Sequence, residues 1–434
     1  MAVLPSPGSQ AWRRGRSARG SAVDPGRGVG SASNSFGDMI RSLLNTPLAS
    51  FYLVLVSAGL LIALGMMMVL SASSVYAYVN TDDSYYFVKR QMMFCGLGLV
   101  FAVVLARSSV RRLRSLSWVG LFLAVGLLVL TYLPGLHANV NGNQNWLSIG
   151  GQRIGQPSEF AKIAMILWGA DILARKERLL DQPKHLLVPF LPVSLLLILL
   201  VVFQGDMGTA MIMIGILAGI LWAVGTPLRI LVAMAGLAAA ATAVMTISRP
   251  SRLRRLMAFL NPTHDVQGTN MQATVGVFAL ATGGWWGVGL GASRQKWGSL
   301  PEAHTDYIFA VIGEELGLFG ALAVLALLLV LGYAGIRIAL RSDELFTRLL
   351  ATGITTWFMF QSLVNLAVVL RMLPVLGVPL PMLSYGGSAL TANIMALGLL
   401  IACARNEPQA RELLATRRRR PQPRMTTVVG SRRG

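Results

Sequence analysis

At 434 residues, with 54% hydrophobic and 13% charged side chains, the chain carries about half the charge of an ordinary soluble domain. Its net charge of +20 gathers at the two ends and in short gaps between apolar runs, which argues against nucleic-acid binding and for an anionic membrane surface. The two cysteines, Cys95 and Cys403, both sit in apolar runs, which argues against a disulfide scaffold or a zinc site.

Residues 1–45 are rich in Gly, Ser, Pro and Arg and are expected as a disordered basic tail. The first apolar run begins near Phe51, too deep for a cleaved secretory signal. From 46 to 405 the apolar runs are continuous rather than alternating. Lipid offers the backbone no hydrogen bonds, so such runs predict an all-α polytopic membrane domain. A span needs about 20 apolar residues. Ten are predicted, near 51–72, 90–106, 114–133, 158–174, 186–203, 209–225, 229–247, 308–333, 349–370 and 388–404. An even count puts both termini on one side. The arginine-rich gaps 107–113, 175–185 and 334–348 make that side the cytoplasm. Residues 406–434, with Arg417-Arg418-Arg419-Arg420, are expected as a second disordered basic tail.

The external segments break the apolar pattern in four places. Residues 134–157 hold Gly150-Gly151, which predicts a small hairpin, and Pro157 then opens a helix with Glu159 near its positive end. Asp206 lies in a tight turn, Gln204-Gly205-Asp206. Residues 248–307 form a long basic loop with Arg249, Arg252, Arg254, Arg255, Arg294 and Lys296, suited to an anionic substrate. Residues 371–387 hold three prolines and Ser384-Tyr385-Gly386-Gly387.

Ionisable groups at a membrane each need a reason. Glu159 and Lys162 are three apart and can pair; Asp171 is expected to reach water at an internal helix end. Asp206 reads equally as a helix cap or a functional carboxylate. Asp306 stands where the basic loop meets a long apolar helix, with Glu302, His304, Arg294 and Lys296 nearby. It reads either as the cap of that helix or as a base accepting a proton from a substrate hydroxyl, with the cations facing a phosphate leaving group. Glu314 and Glu315 lie about 12 Å further along and suit buried structural hydrogen bonds or a proton relay. Gly287, Gly289 and Gly291 follow no strand and are not a dinucleotide loop.

The run Leu300-Pro301-Glu302-Ala303-His304-Thr305-Asp306-Tyr307-Ile308-Phe309, continuing to Gly313-Glu314-Glu315-Leu316-Gly317, resembles the signature of the SEDS family (shape, elongation, division and sporulation). Gln156-Pro157-Ser158-Glu159, the Asp206 turn, Asn261-Pro262 with Asp265 and Gly268, and Ser384-Tyr385-Gly386-Gly387 agree in order. Residues 289–296 resemble the division-type members more than the elongation-type. The resemblance implies a glycosyltransferase of the cytoplasmic membrane, at the division septum. It would polymerise lipid II into β-1,4 glycan beside a class B penicillin-binding transpeptidase and other division-complex membrane proteins. Asp306 would be catalytic. Trp146, Lys162, Arg294, Lys296, His304, Glu302 and Ser384 would meet substrate, while Glu159, Asp206, Glu314 and Glu315 serve structure or relay. A divalent cation, Mg or Mn, is the one cofactor such a reaction invites. Two departures stand out: Asn143-Gln144-Asn145 replace a basic residue before Trp146, and Gly205 replaces a proline, implying a looser turn. A lipid-linked sugar flippase and a membrane scaffold of the division machinery remain open alternatives.

Overall fold

The computed structural model describes residues 46–140, 143–180, 182–261, 270–295 and 300–419. The chain is almost wholly helical: α1 (Ala49–Thr81), α2 (Tyr86–Arg107), α3 (Val110–Leu130), α4 (Pro157–Arg175), α5 (Pro183–Leu187), α6 (Phe190–Phe203), α7 (Met207–Val224), α8 (Leu228–Ile247), α9 (Pro250–Leu260), α10 (Met271–Gly283), α11 (Ile308–Arg341), α12 (Leu345–Val369), α13 (Gly387–Arg405) and α14 (Pro408–Arg419). Among the described residues nine helices are long and apolar enough to cross a membrane, α5 and α6 joining into one span. All but one of the ten predicted spans are among them.

The tenth, α4, is a full helix but carries Glu159, Lys162, Asp171 and Arg175. Those charges cannot face lipid. The helix is accordingly buried along nearly its whole length, packed against α3, α6, α7, α12 and α13. Around it α2 pairs with α13, α1 with α11, and α7 with α12. Small residues set the α2–α13 spacing: a Cβ on Gly398 would lie 2.6 Å from Ala102 Cα, so the two backbones touch. By contrast α8 has no buried residue and packs mainly on α7 and α9.

The predicted hairpin is present. Strands β2 (Asn143–Ile149) and β3 (Gln152–Gly155) pair antiparallel through Gly150 and Gly151, both at positive φ, and β1 (His137–Val140) adds a third strand. Two other expectations are corrected. The basic loop 248–307 is not irregular throughout: it contains the helices α9 and α10. The C-terminal tail does not begin disordered: α14 covers 408–419, opened by Pro408 at its first position and built from strong helix formers. Lys296 and the segment with Pro262, Asp265 and Gly268 lie outside the described residues, as do residues 1–45 and 420–434.

The predicted span 308–333 is not one straight helix. Gly317 sits at φ 67°, ψ −165°, a region open essentially to glycine alone. The helix breaks there, and the segment 284–289 supplies the missing hydrogen bonds. Val288 and Gly289 N–H groups donate to the carbonyls of Glu314 and Glu315 (2.9 and 3.1 Å), and Leu318 N–H donates to Gly284 (2.9 Å). A Cβ on Gly317 would lie 2.3 Å from the Gly287 nitrogen. Gly317→Ala is therefore expected to cost roughly 1–3 kcal/mol. Thermal melting in detergent should show a clear fall in midpoint, whereas Gly59→Ala, in open space on α1, should show none.

Candidate active site

Asp306 closes the turn 300–307 that leads into α11. Glu302, at φ 55°, starts the turn; its carbonyl accepts from Thr305 N–H (3.2 Å) and its carboxylate from the Thr305 hydroxyl (2.7 Å). From α12, the Asn365 amide donates both to the Asp306 carbonyl and to that of Val378 (2.8 Å each). One carboxamide thus holds the 300–307 turn against the 371–387 loop. The Asp306 carboxylate looks onto Gly377 of that loop: a Cβ there would stand 3.7 Å from its Oδ2.

The cap position of α11 belongs to Tyr307, which makes no side-chain cap bond, so Asp306 is not the helix cap. Among the described residues its carboxylate has no hydrogen-bond or ion-pair partner. Loss of solvation raises its pKa to about 7, with further upward pushes from the charges of Glu302 and Asp206 against a downward pull from Arg255. A helix N-terminus favours the ionised form, and here desolvation outweighs it.

Asp206 does cap a helix. Its carboxylate accepts from Thr209 N–H (3.0 Å) and the Thr209 hydroxyl (2.9 Å) at the start of α7, and also from the amides of Asn145 (3.1 Å) and Gln156. It therefore fastens the hairpin and the start of α4 to α7. The turn before it is not loose. Gly205 takes φ 94°, closed to proline, and Gln144 N–H reaches the Gln204 carbonyl at 2.9 Å. The Asn-Gln-Asn run before Trp146 is spent on these bonds. Trp146 itself is half-buried on β2 opposite Ala138. From α9, Arg252 donates to the Gly205 carbonyl (3.0 Å), and Arg249, Arg252 and Arg255 form one basic face. Burial and the two like charges lower the pKa of Arg252.

Several residues expected at the substrate are engaged by other parts of the protein. Lys162 is 1% exposed: its ammonium bonds Glu159 (2.9 Å) and Gln361 (3.1 Å) and sits over the Trp357 ring (4.5 Å). It belongs to an internal pair whose opening would cost about 3–5 kcal/mol. Ser384 accepts from Leu380 N–H (2.8 Å) and so shapes its loop. His304 packs among Tyr76, Phe87 and Tyr385, and burial lowers its pKa. Arg294 is exposed, and its backbone N–H donates to Glu314 (2.9 Å). Both glutamates are structural here: Glu314 also accepts from Ser293, and Glu315 from Ser71 of α1 (2.7 Å). Asp171 does not reach water. It is buried between Arg114 (2.7 Å) and Arg175 (2.8 Å). Sequence reasoning missed Asn365 and the proximity of Arg255 to Asp306. The only signal for the first was a carboxamide within an apolar span.

Among the described residues no three His, Cys, Asp or Glu side chains converge as a metal cage. What the site offers is one desolvated carboxylate beside a basic helix.

The family described as Cell cycle protein, grouping FtsW, RodA and SpoVE, matches residues 51–409. A probable peptidoglycan glycosyltransferase FtsW of Mycobacterium tuberculosis is 38% identical over 367 residues, 85% of this chain and 70% of that protein. Stage V sporulation protein E of Bacillus subtilis is 36% identical over 353 residues, 81% of this chain and 96% of that protein. Among solved structures, a chain of a peptidoglycan synthase complex coordinating polymerization and crosslinking superposes with TM-score 0.68 at 28% identity, covering 82% of this chain and 98% of that one. Rod shape determining protein RodA of Thermus thermophilus gives TM-score 0.58 at 26% identity, covering 82% and 96%.

A carboxyl group whose pKa is raised by folding supports the folded state while protonated. That support is present below the usual carboxylate pKa of about 4 and is lost as pH rises through about 7. Asp306→Asn removes the penalised charge without changing shape. Its thermal midpoint should exceed wild type clearly at pH 8, by less at pH 5, and should converge with it below about pH 4; equal midpoints at pH 8 and pH 5 would contradict the desolvated carboxylate.

Proposed function

The chain belongs to the SEDS family and is a peptidoglycan glycosyltransferase, and we propose that it polymerises lipid II with Asp306 as the general base. The observation that carries this reading is the unpartnered Asp306 carboxylate, held near pKa 7 beside the basic face of α9. A base is most useful when its pKa lies near the working pH. In the reaction the acceptor's sugar 4-hydroxyl gives its proton to Asp306 as its oxygen bonds the donor's anomeric carbon. The bond from that carbon to the pyrophosphate oxygen breaks, and polyprenyl pyrophosphate leaves with the electron pair. Attack from the opposite face inverts the centre to a β-1,4 link. Arg255, whose charge acts on Asp306, and its neighbour Arg252 on α9 would lower the energy of the departing pyrophosphate, and Arg294 is a further candidate for that role.

A divalent cation, Mg or Mn, fits this reaction as the companion of the pyrophosphate rather than in a cage of protein ligands. The arginine distribution supports cytoplasmic termini, which puts Asp306 at the outer face of the cytoplasmic membrane. Likeness to division-type relatives supports action at the septum. The peptidoglycan synthase complex among the solved structures supports a class B penicillin-binding transpeptidase as partner, within a larger set of division-complex membrane proteins.

The test is polymerisation of lipid II in detergent by the purified protein with its transpeptidase partner. Wild type should yield glycan chains, and Asp306→Asn should fall by about 10²-fold or more, the usual contribution of a general base. Equal polymerisation by the variant would remove Asp306 from the base role. No polymerisation by wild type would return the flippase or scaffold reading.

A further inference from the structure

At the opposite end of the bundle from Asp306, α3, the end of α4 and the residue before α12 line an open cavity of about 640 Å³, apart from the candidate active site. It is lined by Val110, Arg111, Arg114, Trp118 and Arg175, with Glu344 at the start of α12. Asp171, fully buried, holds Arg114 and Arg175 side by side. It reaches each through Nε, so the terminal nitrogens of both guanidiniums remain for a second anion. Arg114 is further braced over the Phe346 ring at 5.7 Å, which fixes the direction of its fork. Arg111 stands exposed beside them. Three guanidiniums face two carboxylates, Asp171 and Glu344, and Glu344 also lies 3.9 Å from Arg411 of α14. With Arg411 counted, four guanidiniums stand against two carboxylates, and the net positive charge that remains suits a phosphodiester anion.

The cavity wall is as informative as its charge. Trp118 stacks toward Phe122 (6.2 Å), and Val119 and Phe122 are 61% and 69% exposed on the outward face of α3. An occupant with its phosphate on the arginines has a continuous apolar strip beside it for acyl chains. A soluble phosphate would use the first feature and waste the second. We propose that this cavity is a binding site for the phosphodiester headgroup of an anionic phospholipid, its acyl chains lying along Trp118, Val119 and Phe122. Guanidinium forks match phosphate oxygens, and basic pockets between spanning helices suit anionic headgroups.

Native mass spectrometry of the full chain in detergent tests this, using phosphatidylglycerol, phosphatidylcholine of the same acyl chains, and inorganic phosphate as competitor. Wild type should retain one phosphatidylglycerol in preference to phosphatidylcholine, and excess inorganic phosphate should not displace it. Arg111→Gln, which removes a side chain bonded to nothing among the described residues, should weaken phosphatidylglycerol about fivefold, the equivalent of about 1 kcal/mol. Arg111→Gln with Arg175→Gln should weaken it further; the thermal midpoint of the single variant Arg111→Gln, which touches no internal pair, should stay close to wild type. Equal retention of the two lipids, no change in the single variant, or displacement by inorganic phosphate would each overturn the proposal, the last in favour of a soluble anion.

Discussion

A bilayer offers the backbone no hydrogen bonds, so every stretch of this chain that leaves the helical pattern must be closed by another part of it. Carboxamide side chains on the helices do most of that closing. Gln361 donates to the Pro379 carbonyl (2.7 Å), Asn365 to Val378 and Asp306, Gln91 to Ser384 (3.2 Å) while accepting from Gly386, and Gln204 to Leu128 and Thr131. Where no side chain serves, backbone does: the break at Gly317 is closed by residues 284–289. The irregular segments are thereby fixed to the helices as firmly as the helices are to one another.

The rigidity of that rim sets the chemistry of Asp306. Its neighbours are pinned by their own bonds: Asp206 spends both carboxylate oxygens on α7 and the hairpin, and Asn365 holds the Asp306 backbone. None of these partners can swing in to solvate the Asp306 carboxylate. A group desolvated in this way loses ionisation and gains basicity, which is the exchange a general base requires. Elsewhere the same low-dielectric interior is handled oppositely. Lys162 and Glu159 neutralise each other, as do Asp171 and its two arginines.

Much of the helical frame was legible, because apolar runs of spanning length have one solution in lipid. The signature around Asp306 and the glycine pair at 150–151 were equally readable, since each rests on local residues. What was hidden depends on contacts distant in sequence. Nothing near Glu315 announces Ser71, 244 positions away, and nothing near Lys162 announces Gln361. Asp171 was read as reaching water because Arg114, its partner, belongs to another helix. The ionisation of Asp306 was undecidable from sequence for a similar reason: the helix end that favours charge is adjacent, while its desolvation and the charges of Asp206 and Arg255 depend on how distant parts of the chain come together.

If desolvation and the neighbouring carboxylates hold Asp306 near neutrality as the base, its ionisation must appear in the rate. The most direct measurement is the pH dependence of the polymerisation rate for wild type, Glu302→Gln and Arg255→Gln. The wild-type rate should rise with pH through about 7, with the rise moving to lower pH when the Glu302 charge is removed and to higher pH when the Arg255 charge is removed. A rise centred near the ordinary carboxylate value of about 4, or one that neither substitution moves, would contradict that role for Asp306.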